Sequence, residues 1–455
     1  MVNPDRRRSN RSRRRPAGSA AAAPRVQRPA PAEPRLDGPV LELDVERIAH
    51  GGVAVARHEG RVVFVADAIP GERVRARVTD DSKAKFWRAD TLEVLDASPD
   101  RREHPWAEAG VDRAPELRAG GAEFGHIAMA RQRALKAEVL VDALARFGGV
   151  ERAVAVEAVD PALAPGADAE QGTGWRTRLR LQVDAEGRVG PYASRSHRVV
   201  PVASVPLAVP ELAPLAPLDE RFAGATAVDL VAPSLGNPWV VVDTGESTRG
   251  GRQRIEEQVG DRVFRLDRGG FWQVHRGAAA TLTSAVQQAV DAELFDPRAA
   301  NHDLYGGVGL LAAAVGDRFG ETVRITSVES DARATEHAGA NLADWVGARA
   351  ITGRVDRYLD ELVATAAASR TERDRLHAAT VVLDPPRSGA GREVVDRLAE
   401  LRPRQLVYVA CDPVALARDV GLLRERGYEL DEVRAFDLFP NTHHVEAVAR
   451  LTVAG

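Results

Sequence analysis

The chain has 455 residues, with 62 Lys and Arg, 66 Asp and Glu, and one Cys. That length predicts about three domains, and an apolar content of 44% excludes a wholly disordered chain. A single Cys excludes a disulfide framework and a four-cysteine zinc or iron–sulfur site within the chain. The most apolar charge-free stretch, residues 304–316, is shorter than the roughly 20 residues of a membrane helix. Because no secretory signal follows the basic N-terminus, we expect a soluble, cytoplasmic protein with no membrane partner.

The net charge of −4 conceals a strongly basic N-terminal segment. Residues 1–36 hold ten Arg and two acidic residues, which gives this segment a net charge of +8. Low complexity and the scarcity of large apolar side chains predict that residues 1–37 form a disordered tail rich in Arg, Pro and Ala. Two interpretations stay open: a solubilising tail, or an arm that gives salt-dependent affinity for nucleic acid without selecting a base.

Residues 38–97 predict a small β-barrel. About five short β runs fill this segment, and glycine-containing turns at 51–52, 59–60 and 70–71 separate them. The far end of the segment combines basic and aromatic residues, namely Arg73, Arg75, Arg77, Lys83, Lys85, Phe86, Trp87 and Arg88. This combination suits single-stranded RNA, since charge holds phosphates and rings stack on bases. The alternative is a solvated strand face with Phe86 and Trp87 in the barrel core.

Residues 98–260 predict a central β-rich domain that contains one helix. The helical pattern runs from about Phe124 to Phe147 and ends at Gly148-Gly149. Residues 155–172 are rich in Ala, Pro and Gly and predict a linker or loop. A hairpin studded with Arg follows, with further strands to about residue 245.

Residues 261–455 alternate between β and α patterns. A strand pair over residues 262–274 leads into a long helix that begins near Ala278. Later strands end at Tyr305, Glu329, Asp384 and Cys411. The alternation predicts an α/β fold with a doubly wound, mostly parallel, Rossmann-like sheet, whose ligands bind at the carboxyl ends of the strands.

The first βα turn of this region has the pattern of a nucleotide-type cofactor site. Its sequence is DLYGGVG, in which Gly307 and Gly309 allow the backbone to approach a ligand. Glu329 ends the next strand, 22 residues after Gly307, at a spacing suited to ribose hydroxyls. The pattern fits NAD or S-adenosylmethionine. The alternative is a tight structural turn with Glu329 facing solvent.

Two strand ends carry groups that could take part in chemistry. Asp384 precedes Pro385 and Pro386, which should hold its backbone extended. Its carboxylate could accept hydrogen bonds from a ligand, or the Asp-Pro-Pro sequence could simply end a strand. Cys411 is predicted at a helix N-terminus capped by Asp412, where the helix dipole favours a thiolate and the Asp412 carboxylate opposes it. Taken alone, Cys411 also fits a small buried apolar residue.

The C-terminal stretch THHVE supplies a candidate base. Glu446 could act as a general base, or it could be a solvated acid at the start of a strand. His443 and His444 are adjacent and would point to opposite faces of a strand, so we expect no shared metal.

Together these pieces resemble the RNA uracil-5-methyltransferase family, which is S-adenosylmethionine-dependent and of class I fold. The matching stretches are FWQVH, DLYGGVG, VESD, VVLDPPRSG, VYVACDP, ARDV and FPNTHHVE, in the order and spacing of the family. The barrel segment VERIAHGGVAVARHEGRVVFVADAIPGE resembles the TRAM RNA-binding domain. The resemblance spans about residues 38–455.

The resemblance implies a function and a role for each site residue. Cys411 would add to C6 of a uridine in RNA, and Glu446 would remove the C5 proton after methyl transfer. Gln273, Tyr305 and Glu329 would hold S-adenosylmethionine, and Asp384 would lie between this cofactor and the target base. We expect ribosomal RNA as the substrate rather than transfer RNA, and no obligate protein partner.

The chain also departs from the family pattern. Many members carry a four-cysteine iron–sulfur cluster after the barrel, but Ala119 and Ala122 occupy the corresponding stretch, so we predict no cluster. His275, Leu310 and Asp412 stand where Asn is usual, which bears on cofactor contacts and target preference.

Two rival functions stay open. One is an RNA cytosine-5-methyltransferase, against which the single Cys argues, since that family uses two. The other is an RNA-binding or ribosome-assembly protein with an inactive methyltransferase fold.

Overall fold

The computed structural model describes residues 35–245 and 253–454. Residues 1–34 contain most of the predicted tail and lie outside the described residues, so the tail stays a prediction. Within the two described ranges, no helix has both the length and the apolar character that crossing a membrane requires.

Five strands close into a barrel, as the sequence predicts. They are β1 (Val40–Ala49), β2 (Val53–His58), β3 (Arg61–Ala66), β4 (Arg73–Asp80) and β5 (Phe86–Asp96), in the order β1-β2-β3-β5-β4. Strand β4 shows why the barrel forms: its Val and Ala side chains are buried, while the alternating Arg73 and Arg75 are exposed and Arg77 is half-buried. Because successive side chains of a strand point to opposite faces, this alternation fills the core and leaves the positive charge outside.

The two aromatic residues of β5 lie on different sides of the barrel wall. The half-buried Trp87 packs against the barrel core, and the Arg61 guanidinium lies 4.3 Å from its ring centre. Phe86, also half-buried, packs edge-to-face on Phe64 with 5.4 Å between ring centres. The Arg88 guanidinium lies within 6 Å of both phenyl rings. The alternative that placed both rings in the core is therefore right for Trp87 only.

The central region contains one helix and a small antiparallel sheet. Its elements are α1 (Met129–Ala143), β6 (Val156–Ala158), β7 (Arg178–Val183), β8 (Val189–Gly190), β9 (Ala227–Val231) and β10 (Trp239–Asp243). The last four form a sheet in the order β10-β9-β7-β8. Helix α1 begins five residues later than predicted and continues as a π turn to Gly148, with Gly149 in the left-handed conformation. Strand β6 forms within the stretch predicted to be a loop.

A hairpin and a helix precede the large sheet. They are β11 (Arg254–Val259), β12 (Arg262–Asp267) and α2 (Ala278–Ala289). The helix begins where the sequence predicts. The prediction of two paired strands within residues 262–274 is wrong. Only β12 forms there, and it pairs with β11, which precedes it in the chain.

The rest of the chain forms an eight-stranded sheet with helices. The elements are β13 (Asn301–Leu304), α3 (Leu310–Phe319), β14 (Ile325–Glu329), α4 (Ala332–Asn341), β15 (Ala348–Thr352), α5 (Val355–Ala368), α6 (Arg370–His377), β16 (Thr380–Leu383), α7 (Gly391–Leu401), β17 (Gln405–Ala410), α8 (Pro413–Arg424), β18 (Tyr428–Asp437) and β19 (Glu446–Val453). The strand order is β15-β14-β13-β16-β17-β19-β18-β6. Strands β13 to β17 pair in parallel, and β19 runs antiparallel between β17 and β18. The four predicted strand ends are correct to within one residue.

Alternate side chains of the central strands enter two different apolar clusters. In β17, Leu406 and Tyr408 belong to one cluster, and Val407 and Val409 belong to the other. Each cluster covers one face of the sheet, because neighbouring side chains of a strand point to opposite faces. This arrangement confirms the predicted doubly wound fold and sets the carboxyl ends of β13, β14, β16 and β17 along one edge.

The stretch that corresponds to the iron–sulfur segment packs as apolar core. Ala119 and Ala122 are buried in the cluster of the central region together with Trp106. In the described part of the chain, no group of His, Cys, Asp or Glu side chains is arranged to hold a metal ion. The expected lack of a cluster in the protein stays a prediction.

A buried asparagine ties the segment before β19 to the central region. Asn441 has no exposed surface and a φ of 65°, and its backbone and amide groups make six hydrogen bonds. Their partners are Arg102 Nη2 (2.7 Å), Phe124 N (2.9 Å), Gln132 Nε2 and Oε1 (each 2.9 Å), the Gln171 carbonyl (2.9 Å) and the Gly172 carbonyl (2.8 Å). The side-chain amide of Asn441 thus uses its donor and acceptor sides at once.

Helix α1 makes a second connection to the same segment. Lys136 Nζ donates to Asp437 Oδ1 at 2.6 Å and to the Phe439 carbonyl at 3.0 Å. The two charged side chains are 0% and 2% exposed. Breaking such a buried pair leaves an uncompensated charge, so the pair fixes where β18 ends relative to α1.

We predict that Asn441→Ala destabilises the protein by more than about 2 kcal/mol, because it leaves buried partners unpaired and places Ala in a left-handed conformation. Thermal and denaturant unfolding of the full chain measure the change. Gln288→Ala, which removes an exposed amide from α2, is the matched control. Equal unfolding free energies for the two variants would contradict the role assigned to Asn441.

Candidate active site

Cys411 lies directly after the fully buried strand β17 and directly before α8. Asp412 caps this helix as predicted, because its Oδ1 accepts hydrogen bonds from the N–H groups of Val414 (3.0 Å) and Ala415 (2.8 Å). Pro413 occupies the first helical position, where its missing N–H costs nothing. The thiol is therefore held at a helix N-terminus, partly exposed.

Cys411 opens onto a cavity of about 180 Å³, called the Cys411 cavity below. Its wall includes the barrel turn 49–52, residues of α1, and Arg387, Cys411, Asp412, His443 and His444. Barrel, central region and sheet thus meet at the sequence-predicted nucleophile.

The pKa of the Cys411 thiol is raised to about 12. Burial is the main cause, and the carboxylates of Glu446 and Asp384 add to it, while the Arg387 guanidinium acts in the opposite direction. The helix dipole favours a thiolate, but these effects outweigh it. The sequence predicts that the helix dipole and the Asp412 carboxylate oppose each other, and Asp412 does contribute to the raised pKa of the thiol. The thiol is therefore protonated at neutral pH in the free protein.

Glu446 is the first residue of β19 and is 4% exposed. Burial raises its pKa well above the ordinary value, the Asp384 carboxylate raises it further, and Arg387 lowers it. The interpretation of Glu446 as a solvated acid is wrong. Glu446, Asp384 and Cys411 form one electrostatic group, and Arg387 is the cation that acts on both the thiol and Glu446.

Asp384 has a buried acidic neighbour that the sequence reasoning did not select. Asp303 lies in β13, whose parallel partner β16 ends just before Asp384. Burial raises the pKa of both carboxyl groups to about 7, and the Asp303 charge adds to the shift of Asp384. Ser327 Oγ donates to Asp303 Oδ2 at 3.1 Å, but the buried Oδ1 has no hydrogen-bond partner. The sequence carries little signal for Asp303, because β13 reads Asn-His-Asp-Leu and these polar residues do not indicate that the whole strand is buried.

The glycine-containing turn after β13 has the backbone geometry of a ligand-binding turn. Gly307 and Gly309 have φ values of 54° and 92°, and a side chain at Gly307 would meet no neighbouring atom. Glu329 Oε2 accepts the Gly307 N–H at 3.2 Å, which ties the end of β14 to the turn. Tyr305, which is half-buried, has a φ of 63°. This edge offers carboxylates, open backbone and a phenol ring, which suits a cationic ligand with ribose hydroxyls.

Gln273, the remaining predicted cofactor residue, lies half-buried in the segment between β12 and α2. His275, one of the departures from the family pattern, is buried and stacks on Trp175 with 5.4 Å between ring centres. Burial lowers its pKa to about 4, so it is a neutral packing residue at neutral pH. The roles of all six predicted site residues stay predictions.

Arg387 and the two histidines form a further part of the cavity wall. Arg387 Nη2 and His444 Nε2 are 3.3 Å apart, and burial lowers the pKa of His444 to about 3, so the ring is neutral. His443 and His444 precede β19, and their ring centres are 4.0 Å apart. They do not point to opposite faces as the sequence predicts, because they lie in a loop and not in a strand.

A carboxylate on α8 holds the loop that carries Arg387. Asp419 Oδ2 accepts hydrogen bonds from the Tyr408 hydroxyl (2.6 Å) and from the N–H groups of Ala390 (2.7 Å) and Gly391 (3.2 Å). Both Tyr408 and Asp419 are buried. This network explains why the ARDV stretch accompanies the DPPRSG stretch: Asp419 fixes the far end of the loop that follows Asp384.

We predict that Arg387→Gln slows alkylation of Cys411 by iodoacetamide at least about threefold at one fixed alkaline pH. The guanidinium lowers the thiol pKa, so its loss leaves less thiolate. Mass spectrometry gives the rate directly, since the chain has no other Cys. Arg418→Gln, on the exposed side of α8, should alkylate like the wild type. A faster reaction in Arg387→Gln would contradict the electrostatic account.

Comparisons with known proteins agree with this architecture. The family described as tRNA (Uracil-5-)-methyltransferase matches residues 366–453, and the TRAM domain family matches residues 34–92. A protein named uncharacterized RNA methyltransferase from Streptomyces avermitilis is 39% identical, over 92% of this chain and 99% of that protein. A relative with the same description from Bifidobacterium longum is 35% identical, over 92% of this chain and 98% of that protein.

One solved structure has the same fold over nearly the whole chain. It is the Pyrococcus abyssi tRNA (uracil-54, C5)-methyltransferase in complex with S-adenosyl-L-homocysteine. Its TM-score is 0.63 at 21% identity, covering 90% of this chain and 99% of that one. This likeness shows the fold. The family matches and the near-full-length relatives lead to one conclusion: this chain belongs to the RNA uracil-5-methyltransferase family and carries that family's TRAM domain.

Proposed function

We propose that this protein transfers a methyl group from S-adenosylmethionine to C5 of a specific uridine in RNA, with ribosomal RNA as the substrate rather than transfer RNA. The observation that carries the proposal is a group of one thiol, two carboxylates and one guanidinium. Cys411 and Arg387 line the Cys411 cavity, and Asp384 and Glu446 behind it act on the pKa of the thiol. Nucleophilic methylation of a uracil ring needs such a set: a nucleophile for C6 and a base for the C5 proton.

The residues of the free protein fit the proposed cofactor. S-adenosylmethionine, when bound, supplies an electrophilic methyl group and a positive sulfonium charge. The carboxyl ends of β13, β14 and β16 present Asp303, Glu329 and Asp384, and the buried Asp303 Oδ1 has no protein partner. A site rich in buried acids favours a cation, which makes the cofactor edge electrostatically suitable. Gln273, Tyr305, Glu329 and Asp384 would hold the cofactor.

The chemistry begins at Cys411. The thiol proton must leave before attack, and Asp384, whose pKa of about 7 allows both ionisation states at neutral pH, is a suitable acceptor. The sulfur then bonds to C6 of the uracil and the ring becomes an enolate, which makes C5 nucleophilic toward the methyl group. The Arg387 guanidinium favours the charged forms of the reacting groups throughout.

Glu446 completes the reaction. After C5 has taken the methyl group, the Glu446 carboxylate accepts the C5 proton, the 5,6 double bond re-forms, and the carbon–sulfur bond breaks to return the Cys411 thiolate. Burial raises the pKa of Glu446, which makes its carboxylate a stronger base than an exposed one. The target uridine must leave its stack to enter the cavity, which unpaired RNA allows most easily.

The barrel offers RNA a surface outside the cavity. Phe64 and Phe86 form an edge-to-face pair with the Arg88 guanidinium nearby, and Arg61 lies over Trp87. The exposed Arg73 and Arg75 of β4 lie further along the wall, where each forms an ion pair with a carboxylate, Glu42 or Glu93. Rings and guanidinium groups in this arrangement suit the stacking of unpaired bases and contact with phosphates.

The first test of the function is the position of 5-methyluridine in cellular RNA. We predict that a strain lacking this protein loses 5-methyluridine at one site in ribosomal RNA, and that the wild-type gene restores it while Cys411→Ala does not. Nucleoside mass spectrometry of purified ribosomal and transfer RNA measures the loss. A loss in transfer RNA alone would correct the target. No loss in either RNA would favour the RNA-binding protein with an inactive fold, and a lost 5-methylcytidine would favour the cytosine enzyme.

The second test separates the two catalytic roles. We predict that Glu446→Gln accumulates a covalent protein–RNA adduct with substrate RNA and S-adenosylmethionine, because the C5 proton stays and the thiolate cannot leave. Denaturing gel electrophoresis detects the adduct, which should be absent in Cys411→Ala and in Glu446→Gln combined with Cys411→Ala. Glu429→Gln, at an exposed position of β18, should turn over normally. Normal turnover by Glu446→Gln would refute its role as the base.

A further inference from the structure

The turn between β1 and β2 forms part of the Cys411 cavity, although it belongs to the barrel. His50, Gly51 and Gly52 line the cavity together with Cys411 and Asp412. Gly51 and Gly52 have φ values of 87° and 73°, in the left-handed region that favours glycine. The tight turn brings the barrel backbone close to residues that are about 360 positions later in the chain.

The position of this turn is set by a packed interface. Ile48 and Ile69 of the barrel share one apolar cluster with Phe124, Ile127 and Leu135 of the central region. None of these five side chains is more than 6% exposed. Leu135 lies on α1, and this helix also holds the segment before β19. The barrel turn and that segment are therefore both positioned against the same helix.

Two ion pairs reinforce the same interface. Arg101 contacts both carboxylate oxygens of Glu72, at 2.6 and 2.7 Å, and the Glu72 side chain is fully buried. Arg118 Nη1 lies 2.6 Å from Asp67 Oδ2, and the Arg118 side chain is 3% exposed. The Arg101–Glu72 pair, with its two parallel hydrogen bonds, fixes orientation as well as distance. The barrel is therefore docked in one orientation on the rest of the protein.

His50 contacts the residue next to the nucleophile. Its Nε2 lies 2.9 Å from Asp412 Oδ2, while Asp412 Oδ1 caps α8. The two oxygens of one carboxylate thus join the barrel to the helix N-terminus. Burial opposes ionisation of Asp412, but the hydrogen bonds from His50 and the helix N–H groups hold its pKa below the ordinary value. Asp412 stays charged at neutral pH and keeps the contact.

The same turn meets the segment that leads to Glu446. A Cβ added at Gly52 would lie 2.6 Å from the Cβ of His443, so only glycine fits against this ring. The turn therefore touches a neighbour of the nucleophile on one side and a residue near the base on the other.

We propose that His50 is a positioning residue of the reaction: by holding Asp412, the barrel turn fixes Cys411 relative to the target uracil. The barrel completes the active site in addition to binding RNA. The inference rests on the proposed function for its catalytic consequence, but the contact itself can be tested without turnover.

The test compares His50→Ala, His50→Gln and the wild type. We expect His50→Ala to lower kcat about tenfold, since small displacements of a reacting group have effects of this size, with the KM for RNA changed less than about twofold. His50→Gln should recover most of kcat, because its amide N–H can donate to Asp412. Glu46→Ala, which removes an exposed barrel ion pair of 3.7 Å with Arg57, is the matched control and should behave like the wild type.

A second readout does not depend on methylation. Loss of His50 should free the half-buried thiol and raise the alkylation rate of Cys411 at least about threefold, with the wild-type rate restored in His50→Gln. Asp412→Asn keeps a good helix cap but removes a charge that raises the thiol pKa. His50→Ala combined with Asp412→Asn should therefore be no more affected than Asp412→Asn alone.

The outcomes distinguish this inference from the proposed function. Unchanged kcat and an unchanged alkylation rate in His50→Ala would overturn the inference and leave the methyltransferase function in place. A defect confined to KM, or fully additive effects in the double variant, would have the same meaning. If the wild type makes no 5-methyluridine in any RNA but His50 still controls the alkylation rate, the proposed function fails and the coupling of barrel and thiol stands.

Discussion

The amide of Asn441 is the interaction on which the arrangement of the site depends most. Glu446 begins β19, but the segment that leads to it comes from β18, a neighbour of β19 and not of β17. That segment must turn back across the end of the sheet. Asn441, which is fully buried and has a φ of 65°, makes this turn. Its hydrogen bonds to residues 102, 124, 132, 171 and 172 replace every bond that water would have made. The base is thus positioned by the central region more than by its own strand.

The electrostatics of the free protein show a site that is incomplete without ligands. Asp303, Asp384 and Glu446 are acids with raised pKa values, and Arg387 is the guanidinium that opposes the shifts of Glu446 and Cys411. A cationic ligand at the strand ends lowers the free energy of ionising such acids. The ionisation of these carboxyl groups, and through them the pKa of the Cys411 thiol, therefore depends on the charge that the strand ends carry.

Much of the fold was predictable because it depends on local patterns. Apolar runs followed by Gly, Pro or acidic residues mark the ends of β13, β14, β16 and β17 to within one residue, and Asp412-Pro413 marks the start of α8. Burial alternates along β4 as the sequence does. The resemblance to a known family supplied the roles of Cys411 and Glu446, which the residues taken singly left ambiguous.

What could not be predicted depends on contacts between distant parts of the chain. His50 and Asp412 are 362 positions apart, and nothing local to either residue indicates their contact. The direction of the Cys411 pKa shift follows mainly from burial, and the carboxylates of Glu446 on β19 and of Asp384 after β16 add to it. Strand β6 has three residues in a stretch rich in Ala and Pro, and it is a strand because β18 pairs with it.

Strand β6 also limits how modular the protein can be. It pairs in parallel with β18, so a segment of the central region completes the edge of the catalytic sheet. A cut near residue 260 would separate β6 and α1 from the sheet, leaving β18 with unpaired N–H and C=O groups along one side, a surface prone to intermolecular pairing. Catalytic and central regions therefore form one folding unit. An evolutionary exchange of modules in this architecture must therefore keep the central region together with the large sheet.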